Sequence, residues 1–128
     1  MRYLLDVNVL IALGISQHQF HVRVSRWANS HADSDFLTCS ITEIGFLRVV
    51  SQAPIYAVDV AKAKALLTSL KTSVPLRCIA DSNDIGFLPA WVNRPGQITD
   101  GHLLQLAIAH GAILATLDEG IPGAYRIP

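Results

Sequence analysis

Four acidic residues are placed where carboxylate chemistry becomes possible if the fold brings them together. Asp6 lies in LLDVNVLI, Glu43 in ITEIGFL, Asp100 in ITDGHLLQLAIA, and Asp118 directly after ILATL. The flanks of the first three are largely apolar, and an ionised carboxylate among such neighbours is costly unless it is paired or metal-bound. No Lys or Arg falls within four residues of Glu43, Asp100 or Asp118, and only Arg2 does so for Asp6. Clustered without counter-charge, the four would repel one another and take up protons. A divalent cation removes that conflict. Oxygen ligands with no organised Cys or His set point to Mg²⁺ or Mn²⁺ rather than Zn²⁺, as one ion or two. Hard cations held by carboxylates suit phosphodiester hydrolysis: they acidify a bound water, orient it, and offset charge on the phosphate. Asp6, Glu43, Asp100 and Asp118 are therefore the candidate catalytic and metal-ligating set. Asn8, Ser40, Thr99 and Thr116 stand close enough in sequence to hydrogen-bond those carboxylates or metal-bound water.

Each acidic residue also has a purely structural role open to it. Asp6 can cap a following helix, and Ser40-Ile-Thr-Glu43 reads as a capping box with Glu43 reaching back to the helix start. Asp100 suits the first turn of a helix, and Asp118 suits a turn. Ordinary capping is equally open to Asn8, Ser40, Thr99 and Thr116. What favours a site is joint placement on elements that must converge.

Those elements alternate. Arg2–Leu5 reads as a strand running through Asp6 into a short helix, and His18 to His31 as an amphipathic helix carrying Phe20, Val22, Val24 and Trp27. Phe36–Cys39 reads as a second strand and Ser40–Ser51 as a helix, with Pro54 beyond its end. Asp59 caps the helix AKAKALLTSLK, whose lysines form a solvated face, and Leu76–Ala80 is a third strand after Pro75. Asp81–Gln97 is a polar stretch of turns, with a helical turn near Leu88–Val92. A strongly apolar helix starts at Thr99 or Asp100, ends at His110 and is capped by Gly111. Ala112–Thr116 and Ala124–Ile127 are the last strands. This alternation predicts a mainly parallel sheet covered on both faces. In such a sheet, residues just past the strand ends share one edge, where a topological switch point leaves a crevice. Asp6 and Asp118 follow strands, Glu43 opens the helix after strand two, and Asp100 opens the helix feeding strand four.

The 128 residues suffice for one domain, 1–128, and 51% of them are apolar against 16% charged, which excludes a disordered chain. No apolar run reaches a membrane span, and Asp6 with Asn8 interrupts the segment that superficially resembles a signal peptide. The expected location is the cytoplasm, with Cys39 and Cys78 as buried thiols. Ten basic and ten acidic residues cancel, so any nucleic-acid contact must rest on local geometry.

At the acidic segments the chain resembles the PIN-domain family and, within it, the VapC-type toxins of toxin–antitoxin pairs. LLDVNVLIAL resembles the opening Asp-x-Asn strand, TCSITEIGFLRVVS the second acidic segment, and ITDGHLLQLAIAHGAILATLDEGI the third and fourth. The resemblance implies a three-layer α/β/α sandwich around a central, mainly parallel sheet of about five strands. It further implies an Mg²⁺- or Mn²⁺-dependent endoribonuclease acting on RNA, a homodimer, and inhibition by a cognate antitoxin. Carried over residue by residue, it assigns Asp6, Glu43, Asp100 and Asp118, with Glu119 beside Asp118 as a competitor; Ile55 to Ile98 matches only loosely.

Other residues have two readings. His18 and His21 are either RNA or antitoxin contacts or an exposed helix start. Arg48 and Arg94 either hold phosphate or are solvated. Trp27 and Trp91 can stack on bases, although Trp27 sits at helical spacing with Phe20 and Val24, which suits packing. The rival functions are a PIN nuclease of RNA processing that is not a toxin, and a non-catalytic Mg²⁺-binding receiver module. A receiver needs a Lys near its last strand, whereas Lys62, Lys64 and Lys71 all lie upstream. A haloacid-dehalogenase-like phosphatase is disfavoured because Asp6-Val7-Asn8 lacks the second Asp of that motif.

Overall fold

The computed structural model describes residues 1–128. Its strands are β1 (Arg2–Leu5), β2 (Asp35–Thr38), β3 (Leu76–Cys78), β4 (Ile113–Thr116) and β5 (Tyr125–Arg126). The helices are α1 (Val7–Gly14), α2 (His21–Ser30), α3 (Ser40–Gln52), α4 (Val60–Ser73) and α5 (Ile98–Ala109). All strands are parallel, in the order β3-β2-β1-β4-β5.

The two-residue period of the strands sorts the core into two layers. Tyr3, Leu5, Phe36 and Ala115 pack with residues of α1 to α4, such as Leu10, Trp27, Phe46 and Leu67. Leu4, Leu37 and Leu114 turn to the opposite face and pack on Leu103, Leu106 and Ala107 of α5. The result is the expected α/β/α sandwich, with four helices on one face and one on the other. The imbalance follows from chain direction. Strands β1 to β3 are laid down in one sense across the sheet, then the chain returns to the far side of β1. Right-handed crossovers place the helix of the returning connection on the opposite face.

Several boundaries are shorter than the sequence predicts. Strand β3 stops at Cys78 because β2 ends beside it, although the Ile79 N–H still donates to the Thr38 carbonyl at 2.8 Å. Helix α2 starts at His21, since Phe20 N–H is drawn into a turn by His18 Nδ1. Helix α5 begins at Ile98 and ends as expected beside Gly111, whose φ of 64° is the left-handed conformation that glycine adopts without penalty. Between β3 and α5, the turn expected near Leu88–Val92 is present as a single turn in which Val92 N–H donates to the Pro89 carbonyl at 3.0 Å, and further short turns stand at Ile85–Phe87 and Pro95–Gln97.

Candidate active site

The sheet reverses its build direction between β1 and β4, so the crevice expected of an open parallel sheet lies beyond their carboxyl ends. Asp6 extends β1 by one residue, its N–H donating to the Ala115 carbonyl of β4 at 2.9 Å. It is also the N-cap of α1: Oδ1 accepts from Val7 N–H at 2.8 Å, while Oδ2 accepts from the Thr116 hydroxyl at 2.8 Å. Capping and site membership are thus compatible at this position. Helix α5 runs back across the sheet to feed β4, so its first turn, which carries Asp100, sits at the same edge. Asp118 follows β4 in a turn held by its own N–H donating to the Thr116 hydroxyl oxygen at 3.1 Å.

Asp6, Asp100 and Asp118 each present a carboxylate oxygen within 4.8 Å of the others. None of the three is in an ion pair; the ion pairs of the chain join Arg2 to Asp35, Lys71 to Glu43 and Arg126 to Glu119, and His102 Nε2 meets the Asp81 carboxylate. Burial pushes the Asp6 carboxyl up from its ordinary value; hydrogen bonds from Thr116 and Val7 pull it back, and the charges of Asp100 and Asp118 push it up again. Asp100 is raised as well, by burial first and by Asp118 second. Three oxygen donors, one of them only 6% exposed, with Asp6 and Asp100 raised in proton affinity by burial and neighbouring charge and none of the three paired to a cation, fit a hard divalent cation.

Glu43 stands apart from this trio. The Ser40–Glu43 capping box does not form. Cys39 is the N-cap, and its N–H is satisfied by the Thr42 hydroxyl at 3.0 Å, because β2 ends one residue earlier than that reading requires. The freed Glu43 carboxylate accepts from the Thr38 hydroxyl and from Lys71 Nζ, at 2.9 and 3.1 Å to its two oxygens. Burial raises this carboxyl, yet the Thr38 and Lys71 hydrogen bonds and the Lys71 charge outweigh it and hold Glu43 below its usual value. Lys71 was expected on a solvated face; it bridges α4 to α3 instead.

The supporting residues divide. Thr116 joins Asp6 to the Asp118 backbone, and Asn8 Oδ1 accepts from Leu117 N–H at 3.2 Å, pinning the β4 exit to α1. Ser40 lies beside Glu43 in the adjoining groove, and Thr99 is exposed, with no side-chain hydrogen bond to the trio. Glu119 is drawn off by Arg126 at 2.6 Å, which leaves Asp118 as the residue that joins Asp6 and Asp100. His18 lies in the α1–α2 connection and His21 opens α2; both are half-buried, and His21 Nδ1 donates to the Ala12 carbonyl at 2.8 Å, so this helix start is partly covered and not fully exposed. Trp27 packs edge-on to Tyr3, 5.0 Å between centroids, as its helical spacing suggests. Cys39 is buried but Cys78 is exposed on the edge strand, so only one of the two thiols is in the core.

Sequence reasoning missed Thr38 and Lys71. Thr38 ends a strand whose preceding apolar residues conceal its role. Lys71 lies 28 residues from Glu43, joined to it only by the packing of α3 on α4.

A family model of the PIN domain matches residues 3–127. Ribonuclease VapC38 of Mycobacterium tuberculosis is 34% identical over 125 residues, which cover 92% of this chain and 86% of that relative. Ribonuclease VapC44 of the same species is also 34% identical, over 136 residues, covering 98% and 96%. Among solved structures, VapBC2 from Rickettsia felis, bound to a DNA fragment from their promoter, superposes with a TM-score of 0.68 over 98% of this chain and 97% of that one. At 16% identity this last likeness speaks to the fold.

Proposed function

The chain belongs to the PIN-domain family, and from that premise we propose that it is a metal-dependent endoribonuclease serving as the toxin of a toxin–antitoxin pair. The observation that carries this reading is the meeting of Asp6, Asp100 and Asp118 within 4.8 Å, with no cation in an ion pair with any of them. The names of the relatives, ribonucleases VapC38 and VapC44, support the substrate class.

Asp6, Asp100 and Asp118 would hold Mg²⁺ or Mn²⁺. When bound, the ion supplies an acidified water and positive charge against the scissile phosphate. The remaining work falls to the chain. Thr116 fixes the Asp6 carboxylate and the Asp118 backbone in one arrangement. Glu43, held ionised by Thr38 and Lys71 at the carboxyl end of β2, is the fourth acid of the site and adds negative charge on that side of the crevice. Residues 1–128 form one nuclease domain that acts in the cytoplasm as a homodimer and is silenced by a small cognate antitoxin. No helix is long and apolar enough to cross a membrane.

The test is cleavage of RNA by purified protein with Mg²⁺ or Mn²⁺, with EDTA, and by the Asp6→Asn and Asp100→Asn variants. Cleavage by the wild type with metal, lost in EDTA and in both variants, is expected. Equal cleavage by all three proteins removes the site. Growth arrest on expression without a partner, absent for Asp100→Asn, tests the toxin role separately.

A further inference from the structure

Asp100 and Asp118 line a cleft of about 490 Å³ that Trp91, Arg94 and Gln97 also line. Arg94 is the one cationic residue in its lining, and its guanidinium makes no ion pair or hydrogen bond. It lies beyond ion-pair distance of both aspartates, which leaves space between the charges of opposite sign. The segment bearing it is not a loose loop. Gln97 Oε1 accepts from both Asn93 N–H, at 3.0 Å, and Arg94 N–H, at 3.1 Å. Upstream, Val92 and Pro89 pack into a notch at Gly101 of α5, one residue past Asp100, where an added Cβ would lie 2.4 Å from Val92 Cγ2. The indole of Trp91 rests against the α5-side core, leaving the side chain half-buried.

We infer that Pro89–Gln97 is the substrate wall of the nuclease, with Arg94 taking a phosphate oxygen of single-stranded RNA and Trp91 stacking on an adjacent base. This deepens the ribonuclease reading and rests on it. A guanidinium fork matches phosphate oxygens, and an aromatic platform accepts any unpaired base. Both line the same cleft as the carboxylates, so a strand held there brings its backbone beside Asp100 and Asp118. In a chain of zero net charge, this local pairing of Arg and Trp supplies the contact that overall electrostatics does not.

The test uses wild-type protein with Arg94→Ala, Arg94→Lys, Trp91→Leu and Trp91→Phe. Arg26→Ala, on α2 across the sheet, is the charge-matched control. A short fluorescein-labelled single-stranded RNA of mixed sequence is the probe, read by anisotropy in EDTA and by cleavage kinetics with Mn²⁺. Arg94→Ala and Trp91→Leu are each expected to weaken RNA binding and raise KM by about tenfold, with kcat within about twofold. Arg94→Ala also lowers the salt dependence of binding by about one counterion. Arg94→Lys recovers part of the affinity, and Arg26→Ala none is lost. RNA quenches the tryptophan emission of the wild type but not of Trp91→Phe, because the remaining Trp27 is buried. Unchanged binding and KM in Arg94→Ala and Trp91→Leu overturns the inference while leaving the nuclease intact. Cleavage unaffected by Asp100→Asn removes the nuclease reading itself.

Discussion

Lys71 of α4 grips both carboxylate oxygens of Glu43 on α3, at 2.9 and 3.1 Å, with the Thr38 hydroxyl as a third ligand to the same group. Of the acidic residues first grouped by sequence, Glu43 alone has a resident counter-charge. Lys71 thus competes with any cation for Glu43. Replacing it with Met, which keeps the stem, is expected to cost about 1 kcal/mol in the metal-free protein, since this is a half-buried pair that water partly screens. The same variant should bind Mn²⁺ several-fold more tightly by titration calorimetry. Weaker Mn²⁺ binding would mean that Lys71 holds Glu43 in place for the ion instead of against it.

Asp6 can be neutralised without disturbing its cap, because Asn caps helices about as well as Asp. In EDTA at pH 7, Asp6→Asn is expected to melt higher than the wild type, by roughly 1 kcal/mol of stability, since it removes a buried charge facing two others. With Mg²⁺ the order reverses, as only the wild type gains from the ion. Thermal melts in the two buffers read both signs.

Stability against pH should carry the same signature. Asp6 and Asp100 have raised carboxyls in the fold, so the native state binds more protons than the unfolded chain above their ordinary value of 3.8. Stability in EDTA therefore falls as pH rises from 3.8 through their folded values, and the penalty is complete above them. Glu43 acts oppositely: its contribution is full above 4.5 and is lost as pH drops through its depressed folded value. Urea midpoints in EDTA should carry a falling contribution from Asp6 and Asp100 as pH rises above 3.8, smaller in Asp6→Asn, and Mg²⁺ should flatten that slope. An upward slope in EDTA would contradict the burial assigned to the trio.

Thr116→Val keeps shape and removes one oxygen that serves two partners, Asp6 Oδ2 and Asp118 N–H. A loss of about 2 kcal/mol is expected. Because Asp6 then loses the hydrogen bond that lowers its proton affinity, the acidic limb of the pH–rate profile should move to higher pH. Thr116→Ser should restore it. A melting-temperature loss with an unmoved pH profile would mark Thr116 as packing alone.

Gly101→Ala would ordinarily favour a helix by up to about 1 kcal/mol. Here the new Cβ meets Val92 at 2.4 Å and Pro89 at 3.1 Å, so a net loss of about 1–2 kcal/mol is expected. Val92→Ala in the same chain should return most of it, measured by denaturant midpoints.

The trio was legible because its members sit on signals that sequence carries well: a strand end for Asp6, a helix start for Asp100 and a strand exit for Asp118. Alternating strands and helices then fix which edge of the sheet they share. Glu43 was legible as an acid but not in its surroundings. One residue of strand length decides whether Ser40 or Cys39 caps α3, and that choice releases the carboxylate towards Lys71. No local pattern encodes a contact made by packing two helices. Trp91 and Arg94 were visible as residue types, but their shared wall depends on the Gly101 notch, which a sequence shows only as a glycine in a helix.

The hydroxyl that ties Thr116 to Asp6 spans 110 residues of chain. Asp6 leaves the ribosome well before Asp118, which emerges only after all of α5 and β4. A nascent chain arrested anywhere before that point carries one acid of the trio, or two, and no closed crevice. The damaging activity proposed for this protein is therefore withheld until the segment bearing Asp118 has been made, and translation aborted before that segment yields inert fragments.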